Sequence, residues 1–286
     1  MRLPTLKVFT TVASALALSG CSDPHRLTAP ARLEASKSSA DRAIGTTFVS
    51  IDPPGSTLIL ATDINARGQI VGRHLSAGKT HGFLREPDGT ITTIDYPGSG
   101  FTVAGSINNS GTIVGWYTLP AAPAVRHGFL LRDGVFTSFD PPGSAFTNPL
   151  GVNERGDIVG RFRPAGGTAF HGFVYRDGEF TTLDVPGASE SDAFKVEANG
   201  AIVGGFNEGG AERLFVYGHG EFSTFGLPNG KNVTLDNGGA NARGDIVGTY
   251  CDLPGICVVG SISTHGFLWS NGELMRIDYP GAQATA

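Results

Sequence analysis

Residues 107–117 read INNSGTIVGWY, and related segments occur at four other places in the chain. These segments are INARGQIVGRH, VNERGDIVGRF, VEANGAIVGGF and ANARGDIVGTY. The glycine of each IVG sequence follows the previous one by 43, 45, 44 and 44 residues, at Gly72, Gly115, Gly160, Gly204 and Gly248. A fixed period of this length is typical of solenoids, propellers and related arrays. A motif that occurs five times is expected to have a structural role in the fold before a catalytic or binding role is assigned to it.

Two further motifs keep the same period. The first is a D-x-PG type of segment, found as SIDPPGS, TIDYPGS, SFDPPGS, TLDVPGA, TFGLPNG and RIDYPGA. The second is found as HGFLREPDG, HGFLLRDG, HGFVYRDG, RLFVYGHG and HGFLWSNG. Each repeat therefore combines three motifs in a constant order.

The segments of one repeat all favour β-strand. In the second repeat, INNSG ends a short strand in a tight turn and TIVGWY begins the next, so the two form a hairpin. HGFLLR predicts a third strand that ends in an Asp-Gly turn, and VFTSFD predicts a fourth that ends at Pro-Gly. Four short antiparallel strands in about 44 residues match one propeller blade.

The sequence predicts an all-β protein, a β-propeller of five four-stranded blades over residues 46–286. Phe136 and Phe139 of the fourth strand point to opposite faces, so the sheet needs cover on both sides, as stacked blades provide. The D-x-PG segment at residues 46–56 has no hairpin of its own and is expected to take part in closing the ring. The alternatives are six blades with one partial, or an open β-solenoid.

The hairpin turns carry residues suited to that purpose. The asparagines Asn65, Asn108, Asn153 and Asn241 are expected to hold the turns by side-chain to backbone hydrogen bonds. The glycines that follow are expected to adopt positive φ, and they are Gly68, Gly111, Gly156, Gly200 and Gly244.

The N-terminal residues indicate export. Residues 1–21 combine Arg2 and Lys7 with a run of apolar and small residues, as in a signal peptide. The run ends in Leu18-Ser19-Gly20-Cys21, which resembles a bacterial lipobox and implies cleavage before Cys21 and lipid on that cysteine. Residues 22–45 have the composition of a flexible tether. We expect an outer-membrane or cell-surface lipoprotein; an ordinary signal peptide and a periplasmic or secreted protein are the alternatives.

Cys251 and Cys257 are the other two cysteines. Because an exported chain meets oxidising conditions, the TYCDLPGICVV segment predicts a loop closed by a local disulfide. Two separate thiols and a metal-binding pair are the alternatives.

The combined GINxxGxIVG, HGF and DxPG pattern resembles the bacterial extracellular repeats named HAF. The resemblance covers residues 46–286 and implies export and a propeller-like repeat domain, without implying an activity. The fourth repeat departs from the pattern, with Glu197 in place of Asn, Arg213 in place of His and Gly226 in place of Asp.

Polar side chains with catalytic or metal-binding chemistry also repeat. Histidines start the third strand in four repeats, at His81, His127, His171 and His265. Because equivalent positions are spread around a ring, we expect each to bond to backbone of its own blade and predict no metal site. The recurring aspartates Asp52, Asp95, Asp140, Asp184 and Asp278 are expected to accept turn amides. No asymmetric catalytic set emerges, so no catalytic residue or cofactor is predicted.

Residues that differ between repeats are better candidates for binding, because variable loops on a rigid scaffold carry most binding sites. The candidates are Trp116, Tyr117, Arg161 and Tyr250, which follow IVG; packing between blades is the alternative role. The formal net charge of -5 gives no footprint for nucleic acid. We therefore predict a lipid-anchored binding module for a glycan or an envelope protein, with membrane contact through the lipid only. A polysaccharide hydrolase or lyase using channel-facing carboxylates, and a structural repeat protein, are the alternatives.

Overall fold

The structure is a computed structural model that describes residues 50–226, 232–240, 245–251, 264–270 and 273–277. All the regular secondary structure within these ranges is β-strand, as predicted. None of these residues forms a helix of the length and hydropathy that a membrane span requires. The predicted signal segment, tether and lipidated Cys21 lie outside the described residues, as do the side chain of Cys251 and all of Cys257.

Twenty strands follow one another in five groups of four, here called units 1 to 5. Unit 1 comprises β1 (Leu58–Ile64), β2 (Ile70–Ser76), β3 (Lys79–Arg85) and β4 (Ile91–Ile94). Unit 2 comprises β5 (Phe101–Ile107), β6 (Ile113–Leu119), β7 (Ala122–Arg132) and β8 (Val135–Phe139). Unit 3 comprises β9 (Ser144–Val152), β10 (Ile158–Pro164), β11 (His171–Arg176) and β12 (Glu179–Leu183). Unit 4 comprises β13 (Glu190–Val196), β14 (Ile202–Glu208), β15 (Ala211–Gly218) and β16 (Glu221–Phe225). Unit 5 comprises β17 (Asn232–Ala240), β18 (Ile246–Cys251), β19 (Thr264–Ser270) and β20 (Glu273–Ile277).

Consecutive strands within a unit pair antiparallel, which confirms the strand order predicted for one repeat. Single parallel pairs, Thr80 with Phe101 and Arg126 with Phe146, join units 1, 2 and 3 along one sheet. Units 4 and 5 form separate four-stranded sheets. No strand pair among the described residues joins unit 5 to unit 1, so the pairing does not close.

The first turn of units 1 to 3 has the predicted chemistry. In unit 2, the side-chain oxygen of Asn108 accepts from the amide of Thr112 at 2.9 Å, and Gly111 adopts a φ of 89°. Gly68, Gly156 and Gly200 adopt positive φ in the equivalent turns, whereas Gly244 lies outside the described residues. The predicted role of these residues is therefore confirmed in units 1 to 3.

The second turn is equally specific. Asp133 and Gly134 have φ values of 50° and 76°, the positive pair that a two-residue hairpin turn requires. Asp177 and Gly178 repeat this geometry in unit 3. The Asp-Gly sequence thus fixes how the third strand returns into the fourth.

A glycine and a phenylalanine form the centre of each sheet. The phenylalanine of the HGF motif is almost fully buried in every unit, at Phe83, Phe129, Phe173, Phe215 and Phe267. In unit 2 a β-carbon at Gly115 would lie 2.9 Å from ring carbons of Phe129 and would overlap the carbonyl oxygen of Val103. The glycine of IVG is therefore required by packing, because only it leaves room for the ring.

The hydrophobic core lies between units. One cluster joins units 1 and 2 around Val71 and Phe129, and the next joins units 2 and 3 around Val114 and Phe173. The series continues between units 3 and 4 and between units 4 and 5. Each inner sheet is thus covered on both faces, as the apolar residues of both parities predicted.

Candidate functional site

A cavity of about 830 Å³ lies among the first strands of units 1 to 4. Its two ends are defined by the strand register. At the turn end the first strand meets the second, where Ile64 pairs with Ile70; at the loop end Leu58 pairs with Leu75. Trp116 and Arg161, both on second strands, also line the cavity.

Asparagines connect neighbouring units at the turn end. The side-chain nitrogen of Asn65 donates to the carbonyl oxygen of Asn108 at 3.0 Å, and that of Asn108 donates to Asn153 at 2.9 Å. Asn153 continues the series to the carbonyl oxygen of Glu197 at 3.2 Å. Sequence reasoning found the turn role of these asparagines and missed the contact between units. The sequence signal for this contact is the choice of asparagine, whose amide can donate a hydrogen bond to the next unit while it accepts one within its own turn.

Two cavity carboxylates also hold neighbouring units together. Asp63 accepts from the hydroxyl of Ser106 at 2.7 Å and the amide of Ile107 at 3.0 Å. Glu154 accepts from the amide of Asn109 at 2.6 Å and that of Ser110 at 3.2 Å. Because their oxygens are occupied by backbone and hydroxyl donors, these carboxylates serve the assembly of the units.

Glu197 has a different environment. It lines the cavity at the position where the other repeats have asparagine. Burial raises its pKa, although the charge of Lys195 acts in the opposite direction. Its Oε1 atom is buried and has no hydrogen-bond partner within the described part of the chain.

Aromatic rings and a guanidinium alternate at the loop end. The guanidinium carbon of Arg126 lies 4.0 Å from the ring centroid of Trp116 and 4.5 Å from that of Phe146. Phe101 stacks on Trp116 with centroids 5.0 Å apart and ring planes at 11°. Trp116 is 8% exposed, so its ring positions Arg126 and offers little surface to a ligand.

Two more arginines continue this arrangement in unit 3. The guanidinium carbon of Arg161 lies 4.6 Å from the ring centroid of Phe170, and that of Arg163 lies 5.3 Å from it. Arg161 also forms an ion pair with Asp192 at 3.2 Å. We call Arg126, Arg161 and Arg163, which all lie near Phe146, the arginine cluster. Burial, and then the positive charges of Arg161, Arg73 and Arg163, lower the pKa of Arg126.

A smaller cavity of about 320 Å³ adjoins the cluster. Its lining includes Phe101, Trp116, Pro120, Pro123 and Arg126. Among the described residues, Trp116 alone lines both cavities, so the two cavities meet at this residue. The loop end therefore combines two concave surfaces with fixed positive charge.

The four predicted ligand contacts have different positions. Trp116 and Arg161 line the large cavity. Tyr117 packs on Tyr96 with ring centroids 3.7 Å apart and shares a hydrogen bond of 2.9 Å with the Ser138 hydroxyl. Burial raises the pKa of Tyr117 to about 12. Tyr250 is 7% exposed and lies in the core between units 4 and 5, so both tyrosines occupy packing positions.

Sequence reasoning missed Arg126 and Phe170 as members of the site. Both residues immediately precede the HGF motif of their repeats, where the others have Thr80, Glu212 and Thr264. Variation at that one position was a signal of the same kind as variation at Trp116. The signal is hard to recognise because the segment between the second and third strands differs in length from repeat to repeat.

The expectation that the histidines bond to backbone is wrong for three of them, whose partners are aspartate side chains. The Nδ1 atom of His127 lies 2.7 Å from Asp140, and His81 and His171 each lie 2.8 Å from the aspartate of their own unit, Asp95 and Asp184. Among the described residues these three aspartates bond mainly to the histidines, and one backbone amide, that of Gly128, donates to Asp140 at 3.2 Å. They do not line the large cavity.

Unit 4 lacks both members of this pair, since Arg213 and Gly226 replace them. Joint loss of two partners is consistent with their direct contact. Asp278, the aspartate of unit 5, lies outside the described residues. Over the described ranges, no three histidine, cysteine or carboxylate side chains gather as a metal site would require.

No protein-family model and no curated protein sequence matches the chain. Among solved structures, the chain is similar to TolB from Acinetobacter baumannii, with a TM-score of 0.55 and 12% identity over 75% of this chain and 52% of that one. It is also similar to virginiamycin B lyase from Staphylococcus aureus in complex with quinupristin, with a TM-score of 0.49 and 16% identity over 79% and 72% of the two chains. These neighbours are β-propellers, and the TolB similarity shows that type of fold for this chain.

Proposed function

We propose that this chain is an exported, lipid-anchored β-propeller of five blades that binds a ligand at the loop end of its cavity. The ligand is a glycan or another component of the cell envelope. The observation that carries the proposal is that residues which vary between otherwise equivalent repeats, Trp116 and Arg161, meet at one cavity. A repeat protein gains a specific site where its symmetry is broken.

Exposed apolar residues support closure into five blades. On β1 of unit 1, Leu58 and Ile64 are 59% and 61% exposed, and on unit 5 Val247 and Ile277 are 43% and 46% exposed. The equivalent surfaces between inner units are packed against a neighbour. Contact between units 5 and 1 would cover both sets, which favours five blades over a sixth partial one or an open solenoid.

Glu197 supports a second candidate, a polysaccharide hydrolase or lyase. A carboxyl group with a raised pKa in a cavity is suited to donate a proton. The candidate predicts that Glu197→Gln abolishes turnover of a polysaccharide and leaves its binding intact. Asp63 and Glu154 accept hydrogen bonds from backbone and hydroxyl groups, so they favour the binding module, or a structural repeat protein, over the enzyme.

A glycan array, together with capture of envelope proteins, tests the binding function with the purified chain. Trp116→Ala is expected to weaken any specific signal at least about tenfold, because Arg126 loses the ring that positions it. The chain offers a matched control in its second tryptophan, Trp269 of unit 5, which stacks on Phe225 of unit 4 and does not line the cavity. Equal loss in both variants would point to a folding defect and contradict the proposed site.

The anchor is tested by membrane partition. Cys21→Ser removes the thiol that the lipobox predicts to be lipidated, so the exported chain is expected to move from the membrane fraction to the soluble fraction. Unchanged partition would overturn the anchor while leaving the binding function standing.

A further inference from the structure

We infer that the arginine cluster binds the anionic group of an acidic saccharide, with the sugar chain extending into the large cavity. This inference rests on the proposed binding function and names its ligand class. The anionic group is a carboxylate or a phosphate, the two groups that match the fork of an arginine.

The first step is the balance of charge. The guanidinium carbons of Arg126, Arg161 and Arg163 lie 4.5, 5.9 and 5.6 Å from the ring centroid of Phe146, in a protein whose formal net charge is -5. Within the described part of the chain, Asp192 is the one acid that forms an ion pair with a member of the cluster. The cluster is locally positive although the protein as a whole is negative, and one carboxylate pairs with it. Such a cluster favours the binding of an anionic ligand.

The second step is the availability of donors. Arg126 and Arg163 make no hydrogen bond to a protein acceptor among the described residues, although a guanidinium carries five N–H groups. Arg126 is half-buried, with its guanidinium held between the rings of Trp116 and Phe146. Rings that cover the faces of a guanidinium leave its edge, where the N–H donors point, for an oxyanion.

The third step is pre-organisation. The Nε atom of Arg161 is buried and has no hydrogen-bond partner in the described chain. Its Nη1 atom donates a hydrogen bond to Asp192, which holds the side chain in place. Phe170 lies beside both Arg161 and Arg163. Side chains already held by rings and by one carboxylate lose little conformational entropy on binding, which strengthens the affinity for a matching ligand.

The fourth step assigns the rest of the ligand. The cavity that begins at Arg161 holds about 830 Å³ and is lined by polar groups, among them Asn148, Thr62 and Ser106, alternating with apolar walls such as Val103. Amides and hydroxyls suit the hydroxyl groups of a sugar, and the apolar walls suit its C–H faces. A small inorganic anion would leave this space unused. An acidic saccharide uses both parts of the site.

Calorimetry with the full purified chain tests the inference with a matched pair of probes. The acidic probe is trigalacturonate, and its methyl ester has the same sugar skeleton without the charge. Glucose 6-phosphate and inorganic phosphate distinguish a phosphate-bearing sugar from the bare anion. We expect the acidic sugar to bind and its ester to bind at least about tenfold more weakly. Rising salt concentration is expected to lower the affinity for the acidic sugar and to leave that for the ester unchanged.

Arg126→Gln and Arg163→Gln are expected to reduce affinity for the acidic sugar about tenfold each without altering affinity for the ester. The control is Arg132→Gln, which removes an exposed arginine of β7 that bonds to Thr112, outside the cluster. Arg163→Gln, farther from its rings than Arg126, keeps the test valid if Arg126→Gln lowers the melting temperature.

Three results would overturn the inference. Equal binding of acid and ester would remove the role of charge and leave a glycan-binding module. Binding of inorganic phosphate but of neither sugar would show that the site takes a bare anion and would contradict a saccharide ligand. Binding of neither sugar, with a positive result for an envelope protein in the capture experiment, would overturn the saccharide site and preserve the proposed function; failure of that capture as well would overturn both.

Discussion

Asn108 contributes to two repeats at once. Its side-chain oxygen holds the turn of unit 2 by accepting from Thr112, and its side-chain nitrogen donates to the carbonyl oxygen of Asn153 in unit 3. The residue is 5% exposed, so water does not readily replace either partner. An amide is the side chain that provides a donor and an acceptor in this geometry, which explains why the turn carries asparagine where aspartate would suffice for the turn alone.

Asn108→Asp separates these two contributions. The substitution keeps the acceptor for Thr112 and places a second acceptor oxygen against the carbonyl of Asn153. We expect a loss of about 2 kcal/mol in the free energy of unfolding at neutral pH, measured by chemical denaturation. The control is Asn199→Asp, since Asn199 is exposed and bonds to Ala201 within its own turn. A loss of similar size in the control would contradict the contact between units as the cause.

Asp157 is a buried charge with several donors. Burial alone would raise its pKa, but hydrogen bonds from Arg176 and Asn153 and the charge of Arg176 outweigh it and hold the pKa below the ordinary value. Arg176 forms a bidentate contact, with Nε to Oδ1 at 2.7 Å and Nη2 to Oδ2 at 3.0 Å. The folded protein therefore favours ionised Asp157 more strongly than the unfolded chain does.

This lowered pKa predicts a loss of stability in acid. The contribution of Asp157 is fully present above about pH 4, the ordinary pKa of an aspartate, and disappears as the pH falls through the folded-state pKa. Asp157→Asn is expected to cost about 1–3 kcal/mol at pH 7 and to flatten the dependence of the unfolding free energy on pH below about pH 4. Asp133→Asn, in an exposed turn, is the control. An unchanged slope in Asp157→Asn would contradict the assignment.

The sheet in each of units 1 to 4 depends on a glycine that lies under a phenylalanine ring. Gly115 of β6 lies beneath Phe129 of β7, and Gly72, Gly160 and Gly204 repeat this relation in units 1, 3 and 4. The ring occupies the space that a side chain on the second strand would take. The IVG and HGF motifs are therefore two parts of one packing unit.

Gly115→Ala tests this relation. The added β-carbon would overlap the carbonyl oxygen of Val103 and lie 2.9 Å from the ring of Phe129, so β5 or β7 must shift. We expect a loss of about 3 kcal/mol or more in unfolding free energy. Gly218→Ala provides a close control, because Gly218 ends a third strand and its β-carbon would meet nothing within 4 Å. Thermal denaturation of both variants decides the point; comparable losses would contradict it.

The sequence was sufficient for the strands and turns because these depend on local chemistry. Asn-x-x-Gly and Asp-Gly fix backbone angles within a few residues, and the repeat presents each pattern several times. The site was less accessible to sequence reasoning. Arg126 and Phe146 are 20 residues apart and meet through one parallel pair between units 2 and 3, and such pairing leaves no local signature. Trp116 was found because it differs from its equivalents, whereas its role in positioning Arg126 needed the geometry.

The stability of the complete chain is distributed over the interfaces between units. Each hydrophobic cluster takes residues from two neighbours, and no unit has a separate core of its own among the described residues. In an open array of this kind, a unit depends on its nearest neighbours only. In a closed ring, the first and last units depend on each other as well. Removal of one terminal unit therefore distinguishes the two architectures.

A chain that ends at Phe225 lacks unit 5 and uncovers Val203 and Leu214, which are 3% and 1% exposed in the complete chain. Both architectures predict that unit 4 is destabilised. Only the closed ring predicts that unit 1, at the other end of the chain, is destabilised too, because Leu58 and Ile64 lose the surface proposed to cover them. Hydrogen exchange of the β1–β2 hairpin in the complete and shortened chains measures this, with the β9–β10 hairpin of unit 3 as internal control. We expect exchange in β1–β2 to accelerate at least about tenfold more than in β9–β10. Acceleration confined to unit 4 would contradict ring closure and favour the open solenoid.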